Sequence, residues 1–153
     1  METAIIANKL SQAGSFGQTL LHFFAAESYH TGMLILIEAG ASINAPTKHG
    51  TTPIHLLFGD DQTCPEKYPS NEFLQRLIDN GADFFAKITR DFDDQDEVIT
   101  PLSNLASGYI SEEDEESKRC LLFLFDALKI DTPDKIKQAL PTLPEDDLIQ
   151  IIN

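Results

Sequence analysis

The chain has 153 residues, 42% of them hydrophobic, and a formal net charge of −14. That size and composition suit one compact domain with its own core and exclude an unfolded, low-complexity chain. The negative charge excludes nucleic acid and anionic membranes as natural partners, because both are bound mainly through Lys and Arg.

The charge is unevenly placed. Residues 1–58 carry three acids and two bases, whereas residues 59–153 carry 22 acids and nine bases. No apolar run approaches the roughly 20 residues that a membrane span needs. The opening METAIIANKL lacks a basic segment before its short apolar patch, so no secretory leader is expected. Cys64 and Cys120 lie 56 residues apart and fit no metal or redox spacing. They read as free thiols of a reducing, cytoplasmic compartment.

In chain order, residues 2–12 read as one helix with Ile5, Ile6 and Leu10 on its apolar side. GQTLLH then begins at Gly17 and GTTPIH at Gly50, an offset of 33. Gly, Thr, an apolar residue and His match at Gly17/Gly50, Thr19/Thr52, Leu21/Ile54 and His22/His55. A third start, ITPLSNLA, places Thr100 48 residues after Thr52. A second motif recurs as LIEAGASIN at 36–44 and LIDNGADFF at 77–85. One 33-residue unit with two insertions accounts for all of these spacings.

Local physics predicts a helix–turn–helix in each unit. Thr52 suits the N-cap of a helix whose first residue is Pro53, where a missing N–H costs nothing. Thr100 and Pro101 repeat the device. Gly40 and Gly81 follow apolar helical stretches and suit the left-handed residue just past a helix end. Phe73, Leu74, Leu77 and Ile78 form a helical stripe. CLLFLFDALKID lacks such a glycine, so its helix is expected to run on through Leu128 and Lys129.

On GTTPIH, LIDNGAD and the 33-residue period the chain resembles the ankyrin-repeat family. The resemblance covers about residues 14–130 and implies an all-α solenoid of stacked antiparallel helix pairs with hairpin-like fingers. The organisation it implies is an N-terminal half-repeat cap at 1–16, repeats at 17–49, 50–97 and 98–131, and capping helices at 132–153. Ile136, Leu140, Leu148, Ile149 and Ile152 are expected to cover the exposed end. The departures are Leu20 in place of proline, Ser103 in place of histidine and Phe85 in place of a second asparagine. The third repeat is the divergent one.

The resemblance implies a binding module without catalytic residues, metal or cofactor, acting as a monomer on a protein partner. The alternatives are a single-partner inhibitor of a basic protein surface, an effector acting in a host cell and, last, an enzyme on the same scaffold. His22 and His55 are then scaffold groups tying a neighbouring finger, with Thr52, Pro53, Gly40 and Gly81. His30 and His49 read as loop residues. LIEAGASIN also resembles the asparagine-hydroxylation site of some ankyrin proteins, making Asn44 a possible modification site or a structural tie.

Partner contacts are expected at finger tips (Lys48, His49), on the first-helix face (Phe23, Leu56, Asn104) and on insertions (Tyr68, Arg90, Asp91, Asp93, Asp94). The insertions are read at 59–71, 88–98 and 108–117: an inserted turn, a lengthened finger and a second inserted turn. DFDDQDE at 91–97 lacks the glycine and the final acid of a calcium loop. EEDEE at 112–116 reads as a solvated face or an acidic first helical turn.

Overall fold

A computed structural model describes residue 14 and residues 16–58, 68–92, 95–112 and 114–152. The helix expected at 2–12, Cys64, Asp93 and Asp94 lie outside the described residues. Among the described residues the protein is mostly helical with one small two-stranded sheet. It divides into two compact units, Met1–Asp83 and Phe84–Asn153. The boundary falls inside the stretch 50–97 that the sequence reads as one unit.

The first unit holds α1 (Leu20–Ala26), α2 (His30–Glu38), α3 (Pro53–Leu57) and α4 (Asn71–Asp79). Helix α1 packs on both α2 and α3. Its core is Leu21, Ala25, Met33, Leu36, Ile54, Leu57, Phe73, Leu74 and Leu77, all buried. In α4 the stripe read from the sequence faces inward at Phe73, Leu74 and Leu77, while Ile78 is half-buried. His30 is the first residue of α2 rather than a loop residue. Its ring lies 4.7 Å from that of Phe73, a packing contact that no local motif announces.

Helices α2 and α4 stop in the same way. Gly40 has φ 97° and Gly81 has φ 80°. The Gly40 N–H donates to Ile37 O and the Ala41 N–H to Leu36 O; Gly81 and Ala82 repeat this on Ile78 O and Leu77 O, all at 2.9–3.0 Å. This bond pair satisfies the last helical carbonyls, and glycine takes the left-handed position without a Cβ penalty.

The second unit holds β1 (Ile88–Phe92), β2 (Gln95–Ile99), α5 (Pro101–Glu112), α6 (Glu115–Ala127), α7 (Pro133–Ala139) and α8 (Glu145–Ile152). The strands pair antiparallel, with Ile88 opposite Ile99 and Phe92 opposite Gln95. Helices α5 and α6 pack together around Leu102, Leu105, Ala106, Cys120, Leu121 and Leu124.

Three expectations are corrected here. Gly108–Glu112, read as part of an inserted turn, continues α5 as helix; polar residues such as Ser111 and Glu112 tolerate a helix interior as well as a loop. Helix α6 does not run through Lys129. It ends at Ala127, and Lys129 takes φ 56° with the Lys129 N–H on Asp126 O (3.2 Å) and the Ile130 N–H on Phe125 O (2.8 Å). This is the stop used by Gly40 and Gly81, built on a lysine. In the tail Ile136 and Leu140 are buried as expected, but Ile149 is 57% exposed and Ile151 is buried; the side chains of Leu148 and Ile152 lie outside the described ones. A short helix with few apolar positions leaves its inward face ambiguous from sequence.

Candidate functional site

The repeated Thr-x-x-His forms a closed hydrogen-bond unit. The Thr19 N–H donates to His22 Nδ1 at 3.0 Å, and Thr19 Oγ1 lies 2.9 Å from the same nitrogen. Thr52 and His55 repeat this at 3.1 and 2.9 Å. Each imidazole therefore satisfies an N-terminal amide that the helix leaves without an intrahelical partner. An accepting Nδ1 carries no proton, so the proton of neutral His22 sits on Nε2. That Nε2 lies 3.0 Å from Thr51 O and donates to it. Burial pushes the His22 pKa down, against the raising effect of backbone bonds to Thr51 and Ala45.

The finger held by His22 is knit internally and to the residues before α1. Thr51 O also accepts from the Thr47 N–H at 2.9 Å, and Thr47 Oγ1 accepts from the Thr51 and His49 N–H groups. The Lys48 N–H donates to Phe16 O at 3.1 Å. Gly17, at φ 79°, sits where a Cβ would come within 3.1 Å of Lys48 N, so a side chain there would push this finger away.

Three exposed apolar side chains lie on and just before α1, and the carbonyl of the first, Phe16, holds the Lys48 N–H. Phe23 is 55% exposed, Leu20 43% and Phe16 65%. Leu20 and Phe23 are three residues apart on α1 and share a side. Lys48 and His49 are exposed at the tip, whereas Leu56 and Asn104 are half-buried. The repeat pattern points to Phe23 but not to Phe16 or Leu20. Their exposure is a tertiary property that the sequence pattern does not announce.

Asn44 is a tie as it stands. Its Nδ2 donates to Gly81 O at 2.8 Å, and its Oδ1 accepts from the Asp83 N–H at 2.9 Å. It thus links its own finger to the stop of α4 while remaining exposed.

A cavity of about 610 Å³ lies between α2 and α4, lined by His30, Thr31, Leu34, Tyr68, Ser70, Glu72, Phe73 and Arg76. Arg76 is held by Glu38 at 3.4 Å and Glu72 at 3.9 Å. Of its lining only Tyr68 reads from the sequence as a contact residue, because two helices 40 residues apart form it and no motif spans them.

Arg90 and Asp91 lie on β1. In the second unit Ser103 follows Thr100 at the spacing that separates His22 from Thr19 and His55 from Thr52. The Thr100 N–H donates to Ser103 Oγ at 2.8 Å, the Ser103 N–H to Thr100 Oγ1 at 3.1 Å, and Ser103 Oγ to Thr100 O at 2.8 Å. Thr100 Oγ1 also donates to Ala139 O. Cys120 is buried, and burial raises its thiol pKa to about 11.

Among the described residues no three His, Cys, Asp or Glu side chains group as a metal site, and no helix is long and apolar enough to cross a membrane. No protein-family model matches the chain, and no curated protein matches it significantly.

Proposed function

We propose that this chain is an ankyrin-type protein-interaction module, a solenoid of helix pairs and fingers that binds a protein partner without cofactor or catalysis. The observation that carries the reading is the exposure of Phe16, Leu20 and Phe23, with the Phe16 carbonyl bonded to Lys48 of the exposed Lys48–His49 tip. Exposed contiguous apolar surface rimmed by polar groups marks interaction sites, and two or three buried aromatic anchors carry most of the energy of such contacts.

The recurrence of the Thr–His unit and of the left-handed stop supports the architecture. A buried thiol at Cys120 outside any disulfide fits a reducing, cytoplasmic setting, and the net charge favours a partner with a basic surface. The module works as a monomer.

The experiment is capture of partners from a lysate with the intact protein, against a Phe16→Ser/Phe23→Ser variant. Both side chains are largely exposed, so the variant should keep its melting temperature and lose its partner. Undiminished capture by a folded variant removes the proposed face from consideration.

A further inference from the structure

The hairpin of the second unit carries an unused backbone edge. Strands β1 and β2 make a sheet of two strands. Residues 93 and 94 connect them, and a two-residue connection closes on a hydrogen-bonded pair, here Phe92 and Gln95. Antiparallel pairs alternate. Arg90 with Glu97 and Ile88 with Ile99 therefore exchange bonds across the hairpin, and Asp96 and Val98 direct their N–H and C=O groups outward from β2. Among the described residues these outward groups bond to no other segment.

The same edge is acidic. Asp96 and Glu97 are exposed and in no ion pair among the described residues. Residues 88–99 hold five acids and one arginine.

We propose that the outer edge of β2 receives an extended, Lys- or Arg-rich segment of a protein partner as an added strand. The inference rests on the interaction-module reading and names the chemistry of one contact. A strand edge presents a row of donors and acceptors that another extended chain completes. Charge complementarity selects the occupant: a basic strand places its cations near Asp96 and Glu97. A second copy of this chain would bring its own acids to the same edge, where like charges oppose pairing. Nucleic acid is excluded by the same sign of charge.

The test uses the whole protein and a labelled peptide, Lys-Thr-Lys-Thr-Lys-Thr-Lys, with binding read by fluorescence anisotropy and by backbone amide NMR. Chemical-shift changes and amide-exchange protection are expected at Asp96 and Val98. The peptide N-methylated at alternate residues should bind about tenfold more weakly, the effect of one or two lost backbone bonds. Val98→Pro, which removes an outward N–H and spares the β1 ladder, should weaken the unmodified peptide to a similar extent. Glu97→Lys should weaken it and flatten its salt dependence.

Equal binding of both peptides to the wild-type protein overturns the proposal in favour of charge attraction alone. No binding at ~1 mM peptide overturns it as well. Should Val98→Pro disturb the hairpin, the two peptides on the wild-type chain still decide. A partner lost with Phe16→Ser/Phe23→Ser but indifferent to Glu97→Lys would leave the module reading standing and this contact refuted.

Discussion

Lys129 gives the sharpest test of the helix stops. Its φ of 56° is a left-handed conformation, which costs an L-residue with a Cβ about 1–2 kcal/mol relative to glycine. Glycine gives back about 0.4–1 kcal/mol through the greater freedom of the unfolded chain. The comparison must hold charge and side-chain length fixed, since a cation near a helix C-terminus is itself favourable. The informative pair is therefore Lys129→Gly against Lys129→Ala. Glycine should be the more stable by about 1 kcal/mol. The Lys135 ammonium that donates to Lys129 O at 2.6 Å is available to both variants. Urea denaturation of the full chain measures the difference, and in a heating scan it amounts to roughly 2–4 °C. Gly81→Ala should move the other way by about the same amount, because φ there is 80° and no atom lies within 4 Å of the added Cβ. Equal stability of glycine and alanine at 129 would mean that α6 continues through Lys129, and the shared stop would be lost.

The site geometry leads to three further outcomes. His22 has a pKa below its ordinary 6.5 in the folded protein, so below that pH the unfolded chain binds the extra proton. Its stabilising contribution is whole above about pH 6.5 and is lost as pH falls towards the depressed folded value. His22→Gln should flatten stability against pH in that window, and an unchanged slope would refute the neutral, Nε2-protonated state. Asn44→Ala should cost about 1–2 kcal/mol for two bonds at an exposed site, and Asn44→Asp no less, because it keeps the acceptor for the Asp83 N–H but sets a carboxylate oxygen against Gly81 O where Nδ2 now donates; a melting curve for each checks this. Cys120, with its thiol raised to about 11 and fully buried, should resist alkylation at pH 8 in the native protein and react in denaturant, as peptide mapping would show.

How much is legible in the sequence depends on whether a residue's role is set by its neighbours in the chain. Thr52, Pro53, Gly40 and Gly81 act within their own turns, and their types declare the backbone they need. Lys129 adopts the same geometry under tertiary constraint with a side chain that gives no sign of it. The 108–112 segment is polar enough for a loop, yet its residues also suit a helix. The candidate site divides likewise. Phe23, Lys48 and His49 come from repeat position, whereas Phe16 and Leu20 depend on how α1 packs on α2 and α3. The outward edge of β2 depends on strand register, which the acidic composition of 88–98 conceals.

Ser103 follows Thr100 by three residues, as His22 and His55 follow Thr19 and Thr52, and the difference in residue has its reason further along the chain. Thr19 and His22 form a cap that also reaches forward: one ring nitrogen closes the helix start and the other holds Thr51 O on the finger. After α6 only residues 128–132 intervene before α7, so no loop like 45–51 follows there for a ring nitrogen to hold. Ser103 closes the local cap with Thr100, and Thr100 Oγ1 itself donates forward to Ala139 O. A histidine at 103 would bring an imidazole into a site where the serine is already 5% exposed and satisfied. Ser103→His should therefore destabilise the protein by about 1–3 kcal/mol through overpacking, although it restores the repeat pattern. A gain in stability from that substitution, measured by urea denaturation, would show that the histidine serves the cap alone and that its forward reach to the finger contributes nothing.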